Sequence, residues 1–253
     1  MTGIRFGAIL SSMCGRMVVL IDGVAYYHYF SSQEKGWTYR LAPSHYQTDP
    51  DWWRNPREVR PTENVLIHRL SGNEIAGDWG FWSLVPPWIE GSCSLVPTSR
   101  GNVRLVPPPR THFNSRKDTL VKSSGWRRLL KSNRCVILAD SFFEWSDTEL
   151  LAGRPKQVGR FRLNGKRIMP MAGIWSSVRI GGHEVLTASV VTAEPNAQLE
   201  SLPHHRMPAI LLGQDLERWL DPANDHPEEA LHATLDEEIE AVVVPSGRYA
   251  ELL

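Results

Sequence analysis

At 253 residues the chain is long enough for one large domain or two small ones with a substantial core. Its 28 Lys and Arg balance 28 Asp and Glu, so net charge neither requires nor excludes a polyanionic partner. Three widely spaced cysteines fit a reducing cytoplasm rather than a disulfide framework. No CxxC or HExxH spacing marks a zinc site, and no apolar run approaches the roughly 18 residues of a membrane span.

Residues 1–12 include Ile4, Phe6, Ile9 and Leu10 but are too short for a signal peptide, and read as a removable leader or a mis-assigned start. Residues 13–253 then form a single domain. Val18–Ile21 is a short strand ended by an Asp22-Gly23 turn. Residues 31–60 read as a loop with one short helix. A strand follows at Val65–Leu70, then an aromatic stretch with Trp79, Trp82 and Trp88 around Pro86-Pro87. Those rings are core residues or a stacking platform for unpaired bases. Residues 91–112, rich in Gly, Ser and Pro, read as an irregular surface excursion.

From Asn114 to Lys131 basic residues recur at near-helical spacing. Cys135–Trp145 is the most strand-like run and carries Glu144 among aromatics. Desolvation there raises a carboxyl pKa and makes a proton donor near neutrality; an edge glutamate facing water is the other reading. Asn164-Gly165 between Phe161–Leu163 and Lys166–Met169 signals a hairpin. Met171–Trp175 and Val185–Thr192 are further strands. Pro203-His204-His205-Arg206-Met207-Pro208 is a polar hinge. Leu216–Leu220 and Glu228–Leu235 look helical, and Ala241–Val244 closes the chain as a strand. Strands outnumber helices without alternating with them, so the fold class is α+β, with a curved, mostly antiparallel sheet.

Charge is polarised along the chain. Arg100 to Arg134 holds ten basic residues against one acid, and Gln214 to Glu240 holds ten acids against one base. The basic segment suits a polyanion; two opposite faces docking on each other is the alternative.

Cys14 directly follows Met13. As a buried internal cysteine it would be inert packing. If it becomes the first residue, it offers an amine and a thiol on adjacent carbons. Their ordinary pKa values, about 7.7–8.0 and about 8.5, leave a reactive minority of each at neutral pH. Such a pair closes on an aldehyde as a thiazolidine.

Five stretches in register resemble one family: Cys14-Gly15-Arg16, Asn114-Ser115-Arg116, Arg134-Cys135 to Phe143-Glu144-Trp145, Met171-Ala172-Gly173-Ile174-Trp175, and His204-His205-Arg206-Met207-Pro208. Their order and spacing are similar to those of the SOS response-associated peptidases, also called abasic site processing proteins, from Cys14 to about Trp219. The resemblance implies a barrel-like sheet with flanking helices. It also implies a cysteine-dependent autopeptidase (a hydrolase, with lyase-like chemistry) that binds single-stranded DNA and traps abasic sites covalently. Cys14 matches the nucleophile, Asn114 the residue holding it, Glu144 the acid/base, and His204 the group assisting sugar-ring opening. Arg16, Arg116 and Arg206 match phosphate contacts, and Trp88 a base-stacking residue. No cofactor and no metal are expected, and the partner is abasic single-stranded DNA bound by a cytoplasmic monomer, nucleoid-associated in a bacterium.

The chain departs from the pattern in its twelve leading residues, in Ser83 where glycine is usual, in Asp118 near the position of a usual glutamate, and in the 91–112 insertion. Two rival functions stay open: a thiol hydrolase acting on peptides in trans, and a non-covalent single-strand binding module.

Overall fold

The computed structural model describes residues 15–19, 23–42, 56–89, 92–98, 103–109, 111–146, 155–202 and 204–253. Cys14 and the leader reading of residues 1–12 lie outside the described residues. The chain begins with β1 (Arg16–Val19), α1 (Gly23–Ser31), β2 (Thr38–Leu41), β3 (Arg57–Val59), β4 (Asn64–Ser71) and β5 (Glu74–Trp82). Next come β6 (Ser94–Pro97), β7 (Val103–Val106), β8 (Asn114–Arg116), α2 (Lys117–Lys122) and α3 (Ser124–Ser132). β9 (Arg134–Ala139), β10 (Ser141–Trp145), β11 (Gln157–Leu163), β12 (Met169–Ile180) and β13 (His183–Ala193) follow. The chain ends with α4 (Ala197–Glu200), β14 (Met207–Pro208), α5 (Gln214–Leu220), β15 (Ile239–Pro245) and 3-10 turns at Pro227–Ala230, Asp236–Glu238 and Ser246–Leu252.

β13, β12, β9, β4 and β5 pair in that order, and β5 pairs again with β13, closing a mixed five-stranded barrel. The closing contact is parallel, with Leu186 opposite Gly80 and Ala188 opposite Trp82. Gly80 makes the closure possible, since a Cβ there would lie 2.4 Å from Ile67 Cδ1 and 2.7 Å from the Leu186 carbonyl. A second, fully antiparallel sheet has the order β15-β11-β10-β1-β3. The expected α+β class and the barrel-like, mostly antiparallel sheet with flanking helices are thus present.

Strand alternation explains the layering. Val65 and Ile67 join Cys135, Ile137 and Ala139 in one apolar cluster with Phe142 and Phe161 of the second sheet. Leu66, Val136 and Leu138 point the other way, into a cluster with Trp126, Leu129 and Trp219 of the helices. Both faces of β9 are therefore buried, which is why its sequence is continuously apolar from Cys135 to Ala139. In α3, Trp126, Leu129 and Leu130 recur at helical spacing and pack inward, while Arg127, Arg128 and Lys131 stay exposed.

Several sequence expectations are corrected. The run Cys135–Trp145 is two strands, broken at Asp140, whose amide donates to Val18 O at 2.8 Å. β9 belongs to the barrel and β10 to the second sheet, so Glu144 lands away from the strand that leads to it. Asn164-Gly165 forms a turn, with Gly165 at φ 65°, but no hairpin: β11 pairs with β10 and β15, and β12 with β9 and β13. Two-residue hairpin turns form instead at Gly181-Gly182, at φ 58° and 85°, between Ile180 and its partner His183, and at Gly72-Asn73, between Ser71 and its partner Glu74. The 91–112 excursion contains the β6–β7 ribbon, anchored by Leu105 against Phe81, Val85 and Val185. Glu228–Leu235, which only the 3-10 turn Pro227–Ala230 enters, is not an α-helix. Its carbonyls serve distant side chains instead, Leu231 O accepting from Lys117 Nζ and Thr234 O from Asn196 Nδ2.

The basic segment is also divided in its use. Arg134 is buried and donates to four carbonyls: Trp219 at 2.5 Å, and Leu130, Lys131 and Asp221 at 2.7 Å each. It ties the C-terminal ends of α3 and α5 together and is unavailable to a polyanion. In part, then, basic and acidic segments do dock on each other.

Candidate functional site: a buried carboxylate–imidazole pair beneath a basic rim

The C-terminal end of β13 gathers the site. β8 runs parallel along it, pairing Asn114 with Val190 and Arg116 with Thr192. Opposite, β14 pairs Pro208 with Thr192 and Met207 with Ala193. Buried hydroxyls lock β8 in place: Ser115 Oγ lies 2.5 Å from Ser189 Oγ, and Thr192 Oγ1 donates to Ser115 O at 3.5 Å. The segment delivering His204 is fixed by α4, whose N-cap Asn196 accepts from the Leu199 amide at 3.1 Å.

His204 and Glu144 meet at the junction of the two sheets. His204 Nε2 is 3.3 Å from Glu144 Oε2, with side chains 2% and 1% exposed. On its other side, His204 Nδ1 is 2.9 Å from the Arg206 carbonyl and 3.3 Å from the Arg206 amide. Nδ1 can donate to that carbonyl, or accept from the Arg206 amide with Nε2 then carrying the hydrogen toward Glu144. A carboxyl and an imidazole in contact and shielded from water suit proton transfer to and from a reacting oxygen or nitrogen.

Two arginines at this end of β13 are partly neutralised by carboxylates. Arg116 makes two 3.0 Å hydrogen bonds to Asp118 and keeps half its side chain in solvent. Arg206 donates to Thr192 O at 2.6 Å and contacts Glu194 at 3.4 Å and Asp118 at 3.9 Å. Burial pushes the Asp118 carboxyl up, but the Arg116 hydrogen bonds and the nearby charges hold it below the usual range. Asp118, which drew notice in the sequence only as a departure, therefore bridges two of the expected phosphate contacts.

The other expected residues fall in different surroundings. Asn114 is buried on β8. Arg16 opens β1, lies 4.9 Å from the ring centres of both Trp145 and Tyr249, and pairs with Glu58 at 3.4 Å. Trp88 is 45% exposed and packs edge-on against Trp126 of α3, ring centres 5.5 Å apart. Trp126 also meets His112, at 5.1 Å, two residues before Asn114. Glu58, Glu194 and Tyr249 escaped sequence reasoning because each reaches its arginine across distant chain segments. Among the described residues no group of three or more His, Cys, Asp and Glu is placed to hold a metal ion, and no helix is long and apolar enough to cross a membrane.

Fold and site together define an α+β barrel protein with a buried acid–base pair at the seam between its sheets. The chain belongs to the SOS response associated peptidase (SRAP) family, whose model matches residues 13–246. It is 30% identical over 173 residues to the abasic site processing protein YoaM of Bacillus subtilis, covering 67% of each chain. It is 32% identical over 221 residues to the abasic site processing protein HMCES of Gallus gallus, covering 72% of this chain and 60% of the relative. Among solved structures, a protein from Bacteroides thetaiotaomicron superposes with a TM-score of 0.66 at 19% identity, over 94% of both chains. One from Bordetella bronchiseptica superposes at 0.64 and 18% identity, over 91% of this chain and 99% of the other. These two likenesses concern the fold alone.

Proposed function

We propose that the protein processes abasic sites in single-stranded DNA by forming a thiazolidine cross-link through Cys14, after the residues before it are removed. The observation that carries this reading is the buried Glu144–His204 pair beside the start of β1. Arg16 stands opposite Phe143 in an antiparallel register, so the chain entering β1 runs at the level of Glu144. Cys14 is joined to that point through a single glycine.

In this reading, water first adds across the Met13–Cys14 bond and frees the α-amine, the autopeptidase step. In DNA the abasic sugar opens as its C1′ hydroxyl gives up a proton and O4′ gains one, an exchange a buried carboxyl and imidazole in contact are suited to relay. The amine adds to the aldehyde, and water leaves as the imine forms. The Cys14 sulfur then adds to the same carbon and the ring closes, so one C–N and one C–S bond replace the C=O bond. Asn114 holds the cysteine and the adduct. Arg116 and Arg206 contact phosphates, and Trp88 stacks on a base beside the lesion. Residues 13–253 act as one domain, as a monomer in the cytoplasm, without cofactor or metal.

The test is a denaturing gel after mixing with single-stranded DNA carrying one abasic site. A covalent band from wild type that disappears in Cys14→Ala is expected. DNA binding without any band would leave only a binding module, and peptide cleavage without a band would indicate a hydrolase acting in trans.

A further inference from the structure

The last turn of the chain reaches back to its beginning. Tyr249, in the 3-10 turn Ser246–Leu252, stands against three residues around the start of β1. Its ring centre is 5.1 Å from Phe143, edge-on, and 5.4 Å from Trp145. The Arg16 guanidinium lies 4.9 Å from the Tyr249 ring centre. The Tyr249 hydroxyl donates to Glu58 Oε2, the same oxygen that Arg16 contacts at 3.4 Å. Arg60 secures the other Glu58 oxygen at 2.6 Å. Burial alone would push Glu58 up, yet the Tyr249 and Arg60 hydrogen bonds and the Arg16 charge hold it low, so it stays ionised. Tyr249 is pushed up to about 12, by burial first and then by Glu58, and remains a donor throughout the neutral range.

The Arg16 charge is therefore already answered by a carboxylate and two aromatic faces. A phosphate would have to compete with Glu58 for it. The family match ends at residue 246, so Tyr249 lies beyond what family membership covers.

We infer that Tyr249 and Glu58 are positioning residues: by holding Arg16 they fix the start of β1 against Glu144, and so set the rate of the step at Cys14 rather than the affinity for DNA. This rests on the cross-linking reading above. A clamp of this kind acts through geometry, and a misplacement of about 1 Å at a reacting centre can cost on the order of 10²-fold in rate.

The experiment is single-turnover cross-linking to abasic single-stranded DNA over a range of protein concentrations, which separates the maximal rate constant from the half-saturating concentration. Tyr249→Ala should lower the maximal rate by ~10²-fold while leaving half-saturation within about twofold. Tyr249→Phe, which keeps the ring, should lose less, and Glu58→Gln should fall between them. Thermal melts identify any variant that fails to fold, and Tyr249→Phe and Glu58→Gln then carry the test. A normal maximal rate with a reduced reactive fraction would mean a purely structural contact and overturn the inference. Weakened half-saturation at an unchanged maximal rate would return Arg16 to the phosphate and overturn it equally. If wild type forms no covalent band, the cross-linking reading itself falls, which is distinct from a band whose rate ignores Tyr249.

Discussion

Acid should act on this barrel through His68, the one residue whose partner, Val136, registers β4 against β9. Its Nδ1 donates to Val136 O at 3.1 Å, and its Nε2 accepts from the Tyr39 hydroxyl at 3.4 Å. The rings of Tyr26, Phe30 and Tyr39 surround it at 5.3, 5.6 and 5.9 Å. Complete burial drives its pKa down to about 4, against opposing pulls from the Val136 carbonyl and Asp78. In the unfolded chain the same imidazole titrates near 6.5. Between those values the unfolded state binds more protons, so stability falls as pH drops from about 6.5 toward 4. The difference of ~2.5 pKa units corresponds to roughly 3 kcal/mol, lost at up to ~1.4 kcal/mol per pH unit.

The assay is urea unfolding of wild type and His68→Phe at half-unit steps from pH 7.5 to 4, compared by slope rather than by absolute stability. Carboxylates such as Glu58 and Asp118, held below their usual range, lose their contributions at lower pH in both proteins and cancel in the difference. His68→Phe should be flatter by about one proton across this window. Parallel curves would refute the reasoning, and with it the idea that this contact is the acid-sensitive seam of the strand leading to Glu144.

Two functional predictions concern the site itself. Glu144→Gln should slow cross-linking by at least ~10²-fold while leaving affinity for unmodified single-stranded DNA within about twofold, as read by gel rates and fluorescence anisotropy. An unchanged rate would remove Glu144 from the chemistry. Arg116→Ala should weaken single-strand binding and reduce the log–log salt slope by about 0.7, the value for one phosphate contact on a single strand. Asp118→Asn should do the reverse, because it releases Arg116 and unburdens Arg206; weaker binding in this variant would show that Asp118 orients the arginines rather than masking them.

The sequence named candidate residues, and the structure shows which of them lie together. Glu144, His204, Arg116 and Arg206 were singled out by the short motifs they sit in, and Glu144 and His204 do meet. Local pattern also set many elements: the apolar run opening Val65–Leu70 and the apolar face of α3 need only their own neighbours to be read. Where patterns were shared by two outcomes, they misled. A run apolar on both faces looks the same whether it continues or changes sheet at Asp140, and Asn164-Gly165 turns the chain equally well with or without a partner strand to meet.

What the sequence by itself determined is therefore the chemical inventory and the class of fold, since hydrophobic period and side-chain type are local properties. Tertiary structure alone decided which charges are available. Arg134 disappears into carbonyls of two helices, Asp118 bridges Arg116 and Arg206, and Glu58 of β3 and Tyr249 of the last 3-10 turn take hold of Arg16. The long-range members of those pairings, Arg134 with Trp219, Asp118 with Arg206 and Tyr249 with Glu58, depend on the packing of the sheets and helices, which brings together residues separated by scores of positions and leaves no local trace.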